Sequence, residues 1–238
     1  MTLFPEMCET VLGESIIGRA RRAGKVELYC TNIRDYAGNK HNKVDDMPYG
    51  GGMGMVMAAE PIYSCFEALC SQGGRPHLIY MSPKGKTLTQ KRVKELSALP
   101  RIALLCGHYE GVDERVIEEI VDEEISIGDF VLTGGELPAL ALADAVCRML
   151  PGVLSDELCF TEESHFSGLL EYPQYTRPGV WRGRAVPDVL LSGAHAAVDC
   201  WRRKKALEET LSRRPDMLSK AELSKTDIEL LEEIKREG

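Results

Sequence analysis

Short apolar runs alternate with glycine-containing turns and helix-like segments through the middle of the chain. The runs His77–Met81 and Arg101–Cys106 have the length and composition of buried parallel strands. Thr89–Leu99 and the strongly apolar Leu137–Leu150 are predicted helices. This alternation predicts an open α/β sheet, in which ligands bind at the carboxyl ends of the strands.

In the first third of the chain, the hydrophobic pattern predicts shorter elements that alternate less regularly. Leu3–Met7 has the pattern of the end of a first strand, although almost nothing precedes it, and residues 8–23 follow as a helix. Val26–Thr31 alternates like a strand, and Pro61 opens a helix that runs to about Ser71, because proline is tolerated at a first helical position.

Two glycine-containing segments partly match nucleotide-binding motifs, but their residue spacing differs from that of the motifs. The polar connection over residues 32–59 contains Gly50–Gly54 without the spacing of a dinucleotide fingerprint. A connection of this length is functional or a flexible surface loop. Gly85-Lys86-Thr87 matches the tail of a P-loop, but the opening glycine is replaced by Tyr80, so an ATPase is disfavoured.

Two glycine turns on either side of an acidic helix carry the main functional signal. The first follows the strand that ends at Cys106, and the second lies in Ser126–Pro138. Glycine allows positive φ and lets backbone groups approach a ligand closely. We therefore predict a small-molecule pocket built mostly from main chain. The acidic helix between the turns is a solvated face or a source of negative field for a cationic ligand.

The C-terminal part changes character. Residues 151–178 are rich in Ser, Gly, Pro and charge, as in a linker, and a helical segment with Trp201 and Leu207 on its apolar face follows. The capping-box patterns Ser219-x-x-Glu222 and Thr226-x-x-Glu229 predict two last short helices.

Charge is distributed unevenly along the 238 residues. The net charge of −8 argues against attraction of nucleic acid to the whole surface. Residues 177–214 nevertheless contain nine Lys or Arg against four Asp or Glu, a net charge of +5, so the remainder carries −13. This polarity is typical of a local polyanion-binding segment, and an ordinary solvated basic helix is the alternative.

The eight cysteines form no C-x-x-C pair, and several lie in apolar runs. Buried thiols in a reducing cytoplasm fit this pattern better than disulfides or a metal site. There is no run of 18 apolar residues and no basic-then-apolar leader, so we expect a cytoplasmic protein without a membrane span or secretory signal.

Several motifs in order resemble one family nearly end to end. The chain is similar to the bacterial tRNA (guanine-N1-)-methyltransferases, or TrmD family, of the trefoil-knotted SPOUT class. The motifs are Leu3–Met7, Val44–Gly52, Tyr80–Pro83, Gly107–Arg115, Ser126–Ala139 and Tyr175–Pro178. Family members usually carry more apolar residues before the first motif, so a shortened or truncated start is expected.

The resemblance implies a fold and an assembly. It implies an α/β SPOUT-type parallel sheet with a C-terminal trefoil knot, plus a small all-helical C-terminal domain. The corresponding division is a S-adenosylmethionine-binding domain over 1–155, a linker over 156–177 and a tRNA-binding domain over 178–238. Chain-connection rules argue against knots in general, so the knot follows from the resemblance alone. The resemblance also implies a homodimer with the active site between subunits, and Mg²⁺ that assists the reaction. No sequence motif indicates a metal site.

The cofactor implied by the resemblance is S-adenosylmethionine. Its binding residues would lie in three main-chain-rich loops that serve the adenine edge, the ribose and the methionine tail. They are Tyr80, Ser82, Pro83, Gly107, Tyr109, Glu110, Ser126, Ile127, Gly128, Asp129, Phe130, Val131, Leu132, Gly134, Gly135 and Pro138. As an alternative, the glycines are plain strand-to-helix turns.

Methylation at N1 of guanine requires a proton acceptor, because N1 is protonated at neutral pH. Negative charge then develops toward O6, which a fixed cation would stabilise. The family assigns these roles to a linker Asp and an Arg at the end of the apolar helix. Arg148 matches the Arg, with a simple helix-terminal cation as the alternative.

The proton acceptor is where this chain departs from the family pattern. Where relatives commonly have Glu-Asp-Ser-Phe, this chain has Glu162-Glu163-Ser164-His165-Phe166. Glu163 takes the Asp position with one more methylene and is assigned the base role. Glu162, Glu171 and His165 are competitors.

RNA contacts are expected from the loop around Asp45 and from the basic C-terminal segment. The cations are Arg177, Arg182, Arg184, Arg202, Arg203, Lys204 and Lys205. The resemblance specifies guanosine 37, beside the anticodon, as the target. The alternatives are a SPOUT enzyme that acts on another RNA site or a ribose 2′-hydroxyl, and a non-catalytic RNA-binding protein that kept the fold.

Overall fold

The computed structural model describes residues 1–155 and 163–237. The chain divides into two compact units, Met1–Asp156 and Glu157–Gly238, and each is described separately. Within the described ranges, no helix combines the length and apolar character needed to span a membrane.

A three-stranded parallel sheet forms the centre of the N-terminal unit. Its strands are β3 (His77–Thr87), β4 (Ile102–Cys106) and β5 (Glu123–Ser126), in the order β4-β3-β5. The predicted strands at His77–Met81 and Arg101–Cys106 are therefore confirmed. Leu78 and Ile79 in the central strand are fully buried, as a strand covered on both faces requires.

Helices cover both faces of this sheet. Leu78 and Tyr80 belong to a core with residues of two helices, and the alternating Ile79 and Met81 belong to a second core with residues of two others. The first pair is α3 (Ala59–Gly73) and α5 (Glu114–Ile120); the second is α4 (Gln90–Ser97) and α6 (Glu136–Cys147). The side-chain period of two along β3 thus builds a helix–sheet–helix arrangement. The helices predicted from Pro61, over Thr89–Leu99 and over Leu137–Leu150 are confirmed.

The central strand contains a bulge that the sequence did not predict. Met81 and Lys86 both pair with Ile125 of β5, so residues 82–85 leave the ladder between them. A Cβ on Gly85 would lie 2.5 Å from the backbone carbonyl carbon of Glu124, so only glycine allows this return to the sheet.

The predicted strand at Leu3–Met7 is wrong. Helix α1 (Pro5–Leu12) begins there, with Pro5 in the first helical turn. Backbone hydrogen bonds to β4 are made by Met1, which precedes α1. The Met1 α-amino group donates to Leu104 O at 2.9 Å, and Cys106 N–H donates to Met1 O at 3.0 Å.

Two further predictions near the N-terminus need correction. The helix expected over 8–23 is split into α1 and α2 (Ser15–Arg22), because the chain turns at Gly13. Val26–Thr31 forms no strand; its described ladder contact is Thr2 N–H donating to Thr31 O at 3.0 Å. Alternation without a neighbouring strand is not sufficient for a sheet.

The long connection over residues 32–59 is anchored at both ends. It contains a 3₁₀ turn (Ile33–Tyr36) and a two-stranded antiparallel pair, β1 (Asp45–Asp46) with β2 (Val56–Met57). Val44 and Met57 are fully buried, whereas Tyr49 between the strands is almost completely exposed. The connection is therefore a clamped loop with an exposed tip.

The C-terminal unit is mainly helical. It contains a hairpin of β6 (Val180–Trp181) and β7 (Arg184–Ala185), followed by α7 (Asp188–Leu191), α8 (His195–Arg213), α9 (Pro215–Leu218) and α10 (Lys225–Glu237). Leu169, Leu207, Leu230 and Leu231 form its core. The helices were expected from the sequence; the hairpin is an addition to the all-helical description.

The capping of the last helix differs from the predicted pattern. Ser224 and Asp227 form the capping box: Asp227 N–H donates to Ser224 Oγ at 3.1 Å, and Ser224 N–H donates to Asp227 Oδ2 at 2.8 Å. No helix begins at Ser219-x-x-Glu222. The helix predicted from Thr226-x-x-Glu229 begins one residue earlier, at Lys225, so Thr226 is not its N-cap.

Candidate cofactor cleft, catalytic residues and RNA-binding residues

A cleft lies at the carboxyl ends of β3, β4 and β5. All of the predicted cofactor residues except Asp129 line it, including the three loops that begin at Tyr80, Gly107 and Ser126. It is also lined by residues that sequence reasoning did not single out, in or next to the same loops or, for Glu114 and Ile117, on α5: Met81, Lys84, His108, Gly111, Val112, Glu114, Ile117, Ile125 and Thr133. Segments far apart in sequence thus converge where the sheet topology predicts a ligand.

The two main glycine turns are joined directly by their backbones. Gly135 N–H donates to Gly107 O at 2.8 Å, and His108 and Gly134 form an antiparallel bridge. A Cβ on Gly135 would lie 2.7 Å from Cys106 Cα, closer than real side chains approach backbone. The cleft wall therefore depends on the absence of a side chain at this position.

The turn after β5 is held by a buried serine. Ser126 Oγ donates to Gly128 O at 2.9 Å and accepts from Gly128 N–H at 3.1 Å, and Gly128 has φ of 151°. Phe130 N–H donates to Gly128 O, and Phe130 lines the cleft. Asp129 is exposed and does not line it, so the cofactor role assigned to Asp129 has no support from the cleft.

A buried carboxylate lies beside the cleft at the start of α6. Glu136 is only 3% exposed; it accepts a hydrogen bond from Thr2 Oγ1 at 2.7 Å, and its Oε2 lies 3.5 Å from His108 Nε2. A carboxylate in the first turn of a helix is stabilised by the helix dipole. Glu136 thus links the N-terminal residues to the first glycine turn.

Two ionisable groups in and beside the cleft stay neutral near pH 7. Burial, with a smaller contribution from Glu124, raises the pKa of Tyr80 to about 12. Burial also raises the pKa of the Cys106 thiol to about 12. A thiol this far from its thiolate form is a poor nucleophile, so covalent catalysis by Cys106 is disfavoured.

The long N-terminal connection packs against the first glycine turn. Met57 N–H donates to Gly111 O at 2.9 Å, and Glu110 N–H donates to Met55 O at 3.0 Å. Asp45 pairs with Met57 across β1 and β2, so this predicted RNA-binding residue lies one strand away from the cleft loop.

The predicted catalytic residues lie in different units. Arg148 is the residue at the C-terminal end of α6, in the N-terminal unit, and its N–H donates to Asp144 O at 3.1 Å. Glu163 belongs to the C-terminal unit, where its carbonyl oxygen accepts from Phe166 N–H at 3.3 Å.

The competitors for the base role differ in their surroundings. The Glu171 carboxylate accepts from Gln174 Nε2 at 2.7 Å. His165 occupies a left-handed conformation, with φ of 72°. Glu162 lies outside the described residues. Glu163 remains the predicted base.

The basic run on α8 is engaged in ion pairs within the C-terminal unit. Arg203 makes a bidentate contact with Asp227, at 2.7 and 2.9 Å. The other three cations are paired as follows: Arg202 with Asp199, Lys204 with Glu233 and Glu237, and Lys205 with Glu208. A phosphate would have to compete with these carboxylates.

The arginines before α8 differ from this run. No ion pair involving Arg177, Arg182 or Arg184 occurs within residues 1–155 and 163–237. Arg182 instead places its guanidinium 5.0 Å from the centre of the Trp181 ring. Of the seven predicted RNA-binding cations, these three form no ion pair within the described residues.

Within the same two ranges, no group of three or more His, Cys, Asp or Glu is arranged to hold a metal ion. The geometry offers no Mg²⁺ site of that kind, and we derive no catalytic step through a metal.

Together, the parallel sheet and the backbone-built cleft at its carboxyl edge define an α/β enzyme that binds a small organic ligand in glycine-rich loops. Comparison with known sequences identifies the family. The sequence model for tRNA (Guanine-1)-methyltransferase TrmD matches residues 1–220, and the chain belongs to this family.

Similar proteins cover almost the whole chain. A tRNA (guanine-N(1)-)-methyltransferase of Ruminiclostridium cellulolyticum is 59% identical over 92% of this chain and 95% of its own length. One of Alkaliphilus oremlandii is 57% identical over 99% of this chain and 97% of its own length. The crystal structure of tRNA (m1G37) methyltransferase from Aquifex aeolicus shares 44% identity with a TM-score of 0.75, covering 92% of this chain and 93% of that one.

These matches confirm the predicted family, the α/β SPOUT fold class and the enzyme class, and the trefoil knot stays a prediction. The protein is a methyltransferase, and its family implies S-adenosylmethionine as the methyl donor and tRNA as the substrate.

Proposed function

We propose that the protein transfers a methyl group from S-adenosylmethionine to N1 of guanosine 37 in tRNA, next to the anticodon. One observation carries the proposal: loops assigned to the cofactor on sequence motifs alone converge in a single cleft at the carboxyl edge of the sheet. Residues of all three loops line this one cleft, so a single ligand can contact them together.

The cleft has the chemistry that this cofactor requires. Ile127, Leu132 and Pro138 line the cleft and would supply apolar walls for the adenine ring, and the glycine turns would bring backbone groups to its polar edge. Glu110 and Glu114 add negative charge to a site for a cation. S-adenosylmethionine, when bound, supplies a methyl group already activated by the sulfonium.

The remaining chemistry belongs to the protein. Glu163 would accept the proton from N1 of guanine as the methyl group arrives, and Arg148 would stabilise the negative charge that develops toward O6. Tyr80, which is neutral at pH 7, lines the cleft without adding charge to it.

The surfaces of the two units support a division of roles. We assign cofactor binding to residues 1–155, the linker to 156–177 and tRNA binding to 178–238, where Arg182 and Arg184 of the hairpin form no ion pair within the described residues. We further propose a homodimer, in keeping with the family resemblance, and a cytoplasmic location, where tRNA is found. Sedimentation of the purified protein tests the dimer, and assays with and without a chelator test the need for Mg²⁺.

The function is tested by incorporation of a labelled methyl group into tRNA transcripts that differ only at position 37. We expect methylation of the guanosine-37 transcript and none when adenosine replaces it. Methylation of both transcripts would place the acceptor elsewhere, and cofactor heat without any methylation would favour a non-catalytic binder.

A further inference from the structure

A two-stranded hairpin of the C-terminal unit carries an exposed aromatic ring. Trp181 pairs with Arg184 across β6 and β7, and Arg182 and Gly183 form the turn, with φ of 51° and 78°. Two successive residues with positive φ are typical of the tight turn that fits the twist of a two-stranded hairpin. Val186 N–H donates to Gly179 O at 2.8 Å and closes the other end.

The aromatic ring lies in solvent. Trp181 is 58% exposed, whereas Trp201 on α8 is half-buried, with its ring 6.3 Å from that of Tyr175. The unit therefore packs one of its two tryptophans against its own residues and leaves the other on a hairpin. A large aromatic side chain in this position is available to an external ligand.

The charge around this ring has a single sign. The segment between Glu171 and Asp188 contains three arginines, Arg177, Arg182 and Arg184, and no carboxylate side chain. The Arg182 guanidinium lies 5.0 Å from the ring centre of Trp181, and the run on α8 that could have shared this role is neutralised by its own carboxylates. The hairpin thus joins an aromatic face to cations that form no ion pair within the described residues.

This combination matches the chemistry of an unpaired nucleotide. Bases released from a helix stack on aromatic rings and on guanidinium planes, and neighbouring cations contact the phosphates. A paired base has its faces covered by its neighbours and offers no such contact.

We propose that Trp181 is a stacking platform for an unpaired base of the tRNA substrate, with Arg182 and Arg184 on the flanking phosphates. This inference rests on the proposed function, since it takes tRNA as the ligand. It adds a recognition element on the hairpin, distinct from the cofactor cleft and from the base role of Glu163.

The test uses Trp181 as its own reporter. In full-length protein carrying Trp201→Phe, Trp181 is the only tryptophan, because the chain has two. We expect titration with a guanosine-37 tRNA transcript to quench its emission and to protect it from iodide. A fully base-paired RNA duplex of similar length should leave the emission nearly unchanged.

Substitutions then separate stacking from simple apolar contact. Trp181→Leu should weaken tRNA binding and raise the KM for tRNA about tenfold, the scale of one lost base stack, while Trp181→Tyr stays within about threefold of wild type. Val180→Thr, which alters the neighbouring exposed apolar residue, is the matched control and should change neither quantity. Cofactor affinity should be the same in every variant.

Three results would overturn the stacking role. The first is normal methylation of tRNA by the Trp201→Phe protein without quenching of Trp181, together with a Trp181→Leu variant that binds tRNA as well as wild type; the proposed function would then stand alone. The second is a Trp181 already shielded from iodide without RNA, which would assign the hairpin to a contact with a second copy of the chain. The third is failure of the wild-type protein to bind or methylate any tRNA, which would remove the proposed function as well.

Discussion

The cofactor cleft and the C-terminal unit differ in which part of the chain they offer to a ligand. The cleft is formed by backbone turns in which Gly107 and Gly135 lie against each other, and its specificity depends on missing side chains. The C-terminal unit offers side chains on a hairpin and on α8. Substitutions that add atoms to the glycine turns should therefore weaken ligand binding in the cleft. In the C-terminal unit, substitutions that remove side-chain atoms should weaken it.

The same comparison applies within the C-terminal unit. The run on α8 has more positive charge in sequence than the hairpin, yet each of its cations has a carboxylate partner. The hairpin has fewer cations, but they are unpaired within the described part of the chain. A count of basic residues thus does not locate the binding surface, because intramolecular pairs remove charge from it.

The largest effect is expected from removing one functional side chain. Glu163→Gln keeps the size of the side chain but cannot accept the proton, so turnover should fall by about 100- to 10,000-fold. Single-turnover methyl incorporation measures the loss, and calorimetry should show unchanged binding of S-adenosylmethionine.

The control for this prediction is Glu171→Gln. Its carboxylate already accepts a hydrogen bond from Gln174, and its turnover should remain close to wild type. A large loss in Glu171→Gln together with a normal Glu163→Gln would transfer the base role to Glu171.

The next effect tests the claim that added atoms damage the cleft. Gly135→Ala would place a Cβ 2.7 Å from Cys106 Cα and force the two glycine turns apart. Strain of this kind costs about 1–3 kcal/mol, so cofactor affinity measured by calorimetry should drop by about 10- to 100-fold.

Gly179 provides a matched glycine outside the cleft. No atom lies within 4 Å of the position of its Cβ, and its φ is not positive, so Gly179→Ala should bind cofactor normally. Equal affinity for cofactor in the two variants would mean that the ligand does not depend on these turns.

A smaller effect separates the two basic regions. The pair Arg182→Gln and Arg184→Gln should weaken tRNA binding about tenfold and flatten its dependence on salt, because fewer counterions are released. The pair Lys204→Gln and Lys205→Gln removes the same charge from α8 and should change affinity by less than about threefold. Filter binding over a range of salt concentrations measures both, and the reverse ranking would make α8 the RNA surface.

The smallest effect on ligand binding is expected from Asp227, which is 3% exposed. The Arg203 guanidinium holds the pKa of this carboxyl well below its usual range, and its hydrogen bonds to Ser224 act in the same direction. Asp227→Asn should lower the free energy of unfolding by about 1–2 kcal/mol at pH 7 and leave tRNA affinity unchanged.

The pH dependence of this loss follows from the sign of the pKa shift. A carboxyl with a depressed pKa in the folded state stabilises the fold fully above the unfolded pKa of about 4, and the contribution disappears as pH falls through the folded value. Urea unfolding at several pH values should therefore show wild type and Asp227→Asn converging below about pH 4. A constant difference at all pH values would show that the carboxylate charge is not the cause.

The sequence predicted best those features that depend on local composition. The apolar runs at His77–Met81 and Arg101–Cys106 became adjacent strands, and because parallel strands end at one edge, the loops after them were expected together. The position of the cleft could therefore be anticipated from the strand pattern, whereas its lining residues were predicted from the family motifs.

The features that were missed depend on contacts between distant residues. The pairing of Arg203 with Asp227 and of Lys204 with Glu237 joins α8 to α10, and no spacing along one helix reveals it. Leu3–Met7 was misassigned because an apolar pattern was given more weight than Pro5, which favours a helix start. The hairpin at Trp181 has strands of two residues each, which is too short for a hydrophobic period to reveal.

The bulge in β3 has a consequence for how the fold and the ligand site can be separated. Because Ile125 faces both Met81 and Lys86, the ladder of the sheet runs from one to the other, and residues 82–85 are surplus to it. Those same four residues include Ser82 and Pro83 of the cleft wall. The scaffold thus carries part of its ligand site as an insertion, and excising that insertion is a route to a folded sheet with no catalytic activity.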